Sequence, residues 1–528
     1  MGAACGKSEK ESATPASGVT PGASATSTSN ETPKYGGTSV GALDTEVLTL
    51  DPHMTTVVYT IFEIGPASNG ILMYDQNAEI AGDLAESWKY NTDTELIINL
   101  RKGVKWHNIA PVNGREFVAD DVVYNLKRIG TNDPRFARRA RMEPVVDVVA
   151  VDKYTVKITL KRPDAYFLDF LANPFTLMVA KEYVESMPDG ELTKGCIGTG
   201  PFILKEHNKG VGAKLERNPD YFRTDQYGNK LPYLDGLEIM VVPDPTARKV
   251  AFKTDKIPSY LATAGEVDEM KAAVPNALVA KTLYGGARYT AFHVTHKPFD
   301  DLRVRQAIMY ATDIDEYIRV VAQGAGEPMV GAVPPTQGKW ALPKEELFTY
   351  DLEKAKQLLA EAGLPNGFKT STEATTVGQY DIQAQVLQSQ LKKVGIDLSV
   401  KMVPFGEWVS KAYKGQYDIY TCLDEVGVTP DDFVYPRFHT GGKKNTIEYS
   451  NPKVDELLDK QRLTIDDEER LKIVYEVQRL INADLPQVNL MQGYFFSLTQ
   501  PYVHGSHPEL FGRIGSTSHL TQFIWYDK

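Results

Sequence analysis

The chain has 528 residues, 42% of them hydrophobic, and a mean hydropathy of −0.31, which is ordinary for a globular protein long enough to form two or three lobes. The net charge is −11 and Lys and Arg form no dense stripe, which argues against nucleic-acid binding because phosphates require concentrated positive charge. No run of 18 apolar residues is present, so the sequence predicts no membrane-spanning segment.

The N-terminal segment, residues 1–34, is predicted to be a disordered tether. It consists mostly of Ser, Thr, Ala, Gly and Pro, which bury too little apolar surface to offset the entropy of ordering. Small residues directly before Cys5 resemble the end of a bacterial lipoprotein signal peptide, whose cysteine is lipidated. The apolar part of such a peptide is not in the printed chain, so we expect a shortened form with Met1-Gly2 added. A stray cysteine in a disordered tail is the alternative.

The first predicted ordered elements are strands. Gly41–His53 is predicted to be a strand that ends in a turn at Asp51-Pro52. Leu96, Ile98 and Leu100 alternate with polar neighbours, the period-2 pattern of a half-buried strand.

A turn and a helix follow. Asn113-Gly114 supplies the two positive φ angles of a tight turn. Val122, Leu126 and Ile129 then recur at helical spacing. Val118, directly before this helix, has no side-chain oxygen to cap it, which should cost about 1 kcal/mol.

Later elements show the same two periodicities. Alternation predicts strands at 154–160, 237–241 and 396–402, and helical spacing predicts helices at 304–311, 351–362, 383–394 and 471–481. The last segment, Leu490–Lys528, is predicted to be rich in strands and aromatic residues. Helices alternating with strands indicate an α/β protein.

Several sequence blocks carry a family resemblance. LAESW, LRKGVKWH and ADDVVYNLKRI, between residues 84 and 129, resemble the signature region of the family 5 solute-binding proteins of ABC importers, the oligopeptide/dipeptide/nickel-binding group. GTGPFILKEH, LERNPDYF, DPTAR and FHVTHKPFDDLRVRQAI continue the resemblance in the family's order. The turn Asn108–Glu116 is longer than the family's usual turn, and Val118 stands where a Thr is common.

The resemblance implies an α/β, two-lobed periplasmic-binding-protein type II fold with an inserted third subdomain and a strand hinge. The implied parts are lobe I (35–70, 191–283 and 491–528), an inserted subdomain (71–190) and a ligand-closing lobe III (284–490).

The implied function is that of an extracytoplasmic receptor that captures a peptide or similar small polar solute between its lobes and delivers it to an ABC permease. An oligosaccharide, a metal chelate or another organic solute is the alternative ligand. We expect a monomer, in the periplasm or on the outer face of the cytoplasmic membrane, that contacts the membrane only through lipid on Cys5. No cofactor and no nucleic-acid partner are expected.

A secreted hydrolase of peptides or glycans is the alternative of a different class. The sequence contains no Gly-x-Ser-x-Gly, His-Glu-x-x-His or Cys-x-x-Cys motif, so no enzyme activity is expected. His504, His507 and His519 come nearest to metal-ligand spacing but are predicted to be surface histidines, and no metal site is expected. Cys196 and Cys422 fall in different implied lobes and are predicted to be free, buried thiols.

The resemblance also implies a ligand pocket. Val58, Tyr59 and Thr60 lie on the segment that forms the lobe I wall in peptide-binding members and offers backbone pairing to the ligand. Trp408 matches a tryptophan that lies near the ligand, and an aromatic plate suits a peptide side chain or a sugar face. Tyr59 and Trp408 could equally be core residues.

The loop Tyr417–Phe433 is where peptide-binding members carry an Asp that pairs with the ligand's ammonium group. Counting back from Pro430 puts Val426 at that position, and counting forward from Asp418 puts Gly427 there. Neither residue is acidic, which puts peptide specificity in doubt. Asp424 and Glu425 are candidate substitutes, although a charged pair in a loop is often only solvated. Tyr420, in the same loop, is a further candidate ligand-binding residue.

Overall fold

The structure, a computed structural model, describes residues 32–423 and 427–528. Cys5 and nearly all of the predicted tether lie outside the described residues. Residues 33–528 belong to one unit, and all that follows concerns that unit.

The strands are mostly short and arranged in several sheets. In chain order they are β1 (Thr38–Leu43), β2 (Leu72–Tyr74), β3 (Ile80–Gly82), β4 (Ala85–Thr92), β5 (Glu95–Leu100), β6 (Val145–Asp152), β7 (Thr155–Leu160), β8 (Phe202–Asn208), β9 (Gly212–Arg217), β10 (Gly236–Val241), β11 (Ser259–Ala262), β12 (Leu278–Phe292), β13 (Gly326–Pro328), β14 (Lys369–Ala374), β15 (Asp397–Met402), β16 (Ile419–Leu423), β17 (Gln487–Thr499), β18 (Val503–His504) and β19 (Trp525–Tyr526).

Helices are concentrated in the second half of the chain. They are α1 (Val58–Ile64), α2 (Ala119–Ile129), α3 (Phe167–Ala172), α4 (Lys181–Glu185), α5 (Pro245–Lys253), α6 (Val267–Ala273), α7 (Leu302–Tyr310), α8 (Ile314–Val321), α9 (Leu352–Glu361), α10 (Tyr380–Lys392), α11 (Phe405–Tyr413), α12 (Pro430–Phe438), α13 (Pro452–Leu463), α14 (Asp467–Asp484) and α15 (Phe511–Ile514). No helix among the described residues is long and apolar enough to cross a membrane.

Three larger sheets organise the chain. The first has the order β1-β10-β9-β8, the second β4-β5-β7-β6, and the third β11-β17-β12-β16 with β13 added to β17. The first two sheets lie within the ranges predicted for lobe I and the inserted subdomain. The third sheet joins strands from the ranges predicted for lobe I and lobe III, and the range limits themselves stay a prediction.

Each region has its own buried apolar cluster. Trp106, Phe117 and Phe167 are fully buried in the cluster around β4–β7 and α2. Phe292 and Phe299 are fully buried among helices α7 to α10. Separate cores of this kind allow parts of a chain to move against each other with little repacking.

Most predicted elements are confirmed. The strands predicted at 96–100, 154–160, 237–241 and 396–402 are β5, β7, β10 and β15, and the predicted helices are α2, α7, α9, α10 and α14. Asn113 and Gly114 both have positive φ angles, 54° and 67°, as the predicted turn requires. Val118 provides no side-chain cap to α2, also as predicted.

The strand predicted over Gly41–His53 is wrong beyond Leu43. β1 pairs in parallel with β10 only as far as Leu43 opposite Val241. The Val242 N–H still donates to the Leu43 carbonyl at 2.7 Å, but β10 ends at Val241 and helix α5 begins at Pro245, so no strand continues beside the residues after Leu43. Residues after Leu43 therefore lack a strand partner and form irregular chain and turns.

The prediction that the C-terminal segment is rich in strands is also wrong beyond Thr499, because only the two-residue strands β18 and β19 follow. Cys196 is buried as predicted, whereas Cys422 is half-buried, and the structure joins neither of them in a disulfide.

Candidate ligand-binding cleft

Two long strands connect the predicted lobes. β12 has 15 residues and β17 has 13, and they pair antiparallel from Leu278 opposite Thr499 to Ala291 opposite Gln487. The register is irregular between Leu283 and Ala287, where the sequence is Gly285-Gly286. β11 extends the sheet at one end of β17, and β16 extends it at the other end of β12.

The segment predicted to line lobe I forms helix α1. Thr60 is buried, and its Oγ1 donates a hydrogen bond to the Thr49 carbonyl at 2.8 Å. Val58 and Tyr59 are half-buried at the start of the helix. The expected backbone pairing is therefore limited, because residues 58–60 form the first turn of a helix, where the carbonyl groups are used internally and only N–H groups stay available. Burial, together with the Asp44 carboxylate, raises the pKa of Tyr59.

Tyr59 begins a row of half-buried aromatic rings that we call the aromatic wall. Its members are Tyr59, Phe62, Phe511, Tyr284 and Phe495. Successive ring centroids are 6.0, 5.8, 6.1 and 4.5 Å apart. The wall joins α1 and α15 to β12 and β17, and its Tyr284 lies within the irregular stretch of β12.

Trp408 and Tyr420 lie in one stack of rings on the lobe III side. Trp408 stacks on Tyr380 at 4.3 Å and on Tyr420 at 4.9 Å, and Tyr420 stacks on Tyr417 at 4.8 Å. Trp408 is only 4% exposed, so it packs as a core residue. Its Nε1 nevertheless has no hydrogen-bond acceptor among the described residues, which is unusual for a buried indole.

A cavity of about 310 Å³ lies against this stack. It is lined by His296, Ser371, Thr372, Glu373, Trp408, Lys411, Ala412, Gln416, Tyr417, Asp418 and Tyr420. Because Ile419 pairs with Phe292, at the end of β12 away from Gly285-Gly286, the cavity is distant from the irregular stretch of β12.

Asp424 and Glu425 lie outside the described residues, as does Val426. The chain on either side is well anchored. Leu423 pairs with Arg288, and the Gly427 carbonyl accepts a hydrogen bond from Gln337 Nε2 at 3.2 Å.

The predicted inserted subdomain touches the predicted lobe III through polar groups. The Tyr166 hydroxyl donates to Gln461 Oε1 at 2.5 Å, and the Ala165 N–H donates to the Arg462 carbonyl at 2.8 Å. Arg141 lies 3.9 Å from Asp431. We call these contacts the polar bridge.

The three C-terminal histidines do not act together. His504 stacks on Trp525 at 4.1 Å, His507 contacts Glu509 at 3.1 Å, and His519 donates to the Tyr74 carbonyl at 2.7 Å. All three are half-buried, so the predicted surface position is wrong. The described residues contain no group of three or more His, Cys, Asp or Glu side chains placed to hold a metal ion.

Sequence reasoning missed most of the aromatic wall. Phe62, Tyr284, Phe495 and Phe511 come from four distant segments, and no local pattern distinguishes them from core aromatics. The one signal was Gly285-Gly286 within a long apolar strand, since glycine in a strand often marks a bend or a bulge.

Comparison with known proteins decides the family. The family model for bacterial extracellular solute-binding proteins, family 5, matches residues 79–446. The chain belongs to this family. Solute-binding proteins of family 5 are extracytoplasmic receptors of ABC importers, and they bind their solutes without transforming them.

Individual relatives of this family 5 protein match over most of their length. Heme-binding protein A of Haemophilus influenzae is 30% identical over 83% of each chain. The dipeptide-binding protein of Escherichia coli is 28% identical over 81% of this chain and 83% of its own. The periplasmic binding protein DppA of Helicobacter pylori, solved with the peptide STSA, is 27% identical with a TM-score of 0.78, covering 94% of this chain and 99% of its own. The fold is therefore the two-lobed type II fold of this family.

Proposed function

We propose that this receptor captures a short peptide, or a small polar solute of similar size, between lobe I and lobe III. The observation that carries the proposal is similarity along nearly the whole chain to a protein solved with a bound peptide. The aromatic wall supports it, because half-buried rings provide contact area for apolar side chains at low entropic cost.

Capture is proposed to occur by closure of lobe III over lobe I. β12 and β17 are the hinge in this proposal, with Gly285-Gly286 at the point where their register is irregular. A solute that contacts both lobes shifts the population toward the closed state.

Titration calorimetry with di-, tri- and tetrapeptides tests the ligand class. The protein is first unfolded, dialysed and refolded to remove any solute that co-purifies. We expect saturable binding of at least one peptide size. Heme is the second ligand to test, because a relative at 30% identity is named for it. Saturable heme binding with no peptide binding would contradict the peptide proposal.

Cys5 is proposed to carry a lipid that holds the receptor near the membrane surface. The small residues before Cys5 and the extracytoplasmic location of the family support this proposal. In a bacterial host that processes lipoprotein signal peptides, we expect the full precursor in the detergent phase of a Triton X-114 partition and the Cys5→Ser variant in the aqueous phase. Equal partitioning of both would contradict lipidation.

The receptor is proposed to have no hydrolase activity. Purified protein should not cleave peptides or glycosides above background. Cleavage that disappears on substitution of one cleft residue would contradict this proposal.

A further inference from the structure

Arg288 is a cation with an unusual set of neighbours. It lies on β12, directly after the irregular stretch, and its side chain is half-buried. Its guanidinium donates to three neutral oxygens: Nη1 to Gln383 Oε1 at 3.0 Å, and Nη2 to the Gly378 carbonyl at 2.9 Å and Gln379 Oε1 at 3.4 Å. No carboxylate of the described residues contacts it.

Three other buried arginines in the described part of the chain are compensated. Arg128 pairs with Asp51 at 2.6 Å and Arg223 with Asp83 at 2.8 Å. Arg305 donates to carbonyls at the C-terminal end of α14, the negative end of a helix dipole, at 2.7 Å from Asp484 O. A partly desolvated arginine without an anion is unfavourable, and burial accordingly lowers the pKa of Arg288.

The neighbouring helix adds to the positive potential. Gln379 is the N-cap residue of α10, so Arg288 lies at the positive end of a 13-residue helix. Three of the five N–H hydrogens of the guanidinium are used, which leaves Nε and one hydrogen of Nη1 without an acceptor among the described residues. The Arg288 side chain is only half-buried, so part of it is open to solvent or to a solute.

The position of Arg288 suits a ligand in the cleft. Tyr284 of the aromatic wall lies four residues earlier on β12, within the irregular stretch. From Leu283 to Arg288, β12 advances by five residues while β17 advances by three, from Tyr494 to Met491, which is about 10 Å along the sheet. A separation of this size lies within the length of an extended three- or four-residue peptide.

We propose that the solute carries an anionic group, a carboxylate if it is a peptide, and that Arg288 binds this group at the N-terminal end of α10. The inference rests on the proposed receptor function. Arg288 is then the positioning charge of the ligand site, and the carboxylate supplies the anion that the described residues do not place beside it.

The test compares matched ligands and matched variants by titration calorimetry. Each peptide is used as the free acid and as the C-terminal amide, with wild-type protein, Arg288→Gln and Arg288→Lys. Arg303→Gln is the control, because Arg303 is 48% exposed and pairs with Asp301 on the surface. Melting temperatures show whether each variant folds, and the comparison of acid with amide on the wild type needs no variant.

We expect the amide to bind wild type about ten- to a hundredfold more weakly than the acid. Arg288→Gln should weaken binding of the acid by a similar factor and leave binding of the amide unchanged. Arg288→Lys should bind the acid more tightly than the amide, but by a smaller factor than wild type. Equal binding of acid and amide to wild type, or equal weakening of both by Arg288→Gln, would overturn the inference.

The same design separates this inference from the peptide proposal. Suppose that mass spectrometry of the co-purifying solute identifies a non-peptide acid, and that its amide and Arg288→Gln show the same pattern. The peptide proposal then fails and the role of Arg288 holds. A co-purifying solute without any anionic group would overturn the role of Arg288 whatever its class.

Discussion

His107 shows how a single buried residue is fixed in one protonation state. It is 1% exposed, its Nε2 donates to the Gly200 carbonyl at 3.1 Å, and its Nδ1 accepts from the Gly198 N–H at 3.3 Å. A second proton on the ring would be carried by Nδ1 and would point at the Gly198 N–H, so the protonated form of His107 is disfavoured. Burial lowers the pKa of His107 to about 4.

We predict that His107→Gln loses its destabilising effect as the pH falls. The unfolded state binds a proton near pH 6.5 and the folded state only near pH 4, so the neutral histidine contributes stability that is complete above pH 6.5 and declines as the pH falls toward 4. The difference in unfolding free energy between wild type and variant should shrink by about 2 kcal/mol from pH 7 to pH 5. Urea unfolding at both pH values measures it. A difference that is independent of pH would contradict the assignment.

A second prediction concerns the buried pair of Arg128 and Asp51. Arg128 is 7% exposed and Asp51 fully buried, and two hydrogen bonds join them, at 3.0 and 2.6 Å. Arg128→Gln leaves the carboxylate buried without its cation and should lower the unfolding free energy by about 3 kcal/mol or more. Arg135→Gln, whose exposed side chain pairs with Asp133, is the control and should change it by less than about 1 kcal/mol. Similar losses in chemical denaturation of both variants would refute the argument.

Residue identity predicted two members of one ring stack but not the surroundings of Arg288. Trp408 and Tyr420 were identified from resemblance, and the structure brings them into one stack. The isolation of Arg288 could not be foreseen, because it depends on which side chains the loop before α10 places around it. Which of the described carboxylates lie near a given cation is a property of the folded environment, and no local sequence pattern predicts it.

At the scale of elements, local periodicity predicted β5, β7, β10 and α14 because each buries one face against its own core. The strand predicted through Gly41–His53 failed for a non-local reason, since its ladder ends near Pro243, some 200 residues away. The resemblance implied a strand hinge, and only the pairing of β12 with β17 in the structure shows which strands connect the predicted lobes and where their register is irregular.

Helix α2 offers a test at the element scale. Asp121 Oδ2 accepts from the Val118 N–H at 3.0 Å, which is one half of a capping box. Val118→Thr should add the missing acceptor for the first-turn N–H groups and raise the unfolding free energy by about 1 kcal/mol. Val146→Thr, on the exposed face of β6, is the matched control. Equal midpoints for Val118→Thr and wild type in urea unfolding would show that the cap is not limiting.

At the scale of the whole molecule, the polar bridge is predicted to favour the closed state. Tyr166 is 2% exposed, and its hydroxyl reaches across to Gln461 of the predicted lobe III. Tyr166→Phe removes this bond and should reduce ligand affinity about fivefold, because a net hydrogen bond contributes about 1 kcal/mol. The control is Tyr154→Phe, whose hydroxyl bonds to Glu116 within the same predicted subdomain. Titration calorimetry that finds equal affinities for both variants would assign the bridge a structural role only.

The central claim is that this family 5 receptor closes on a solute held between its lobes. Small-angle X-ray scattering tests it most directly, on protein freed of solute by unfolding and refolding and on the same protein with its identified solute restored. We expect a smaller radius of gyration when solute is bound and no such change in refolded protein given only buffer. An unchanged radius of gyration at saturating solute, with binding confirmed by calorimetry on the same sample, would contradict it.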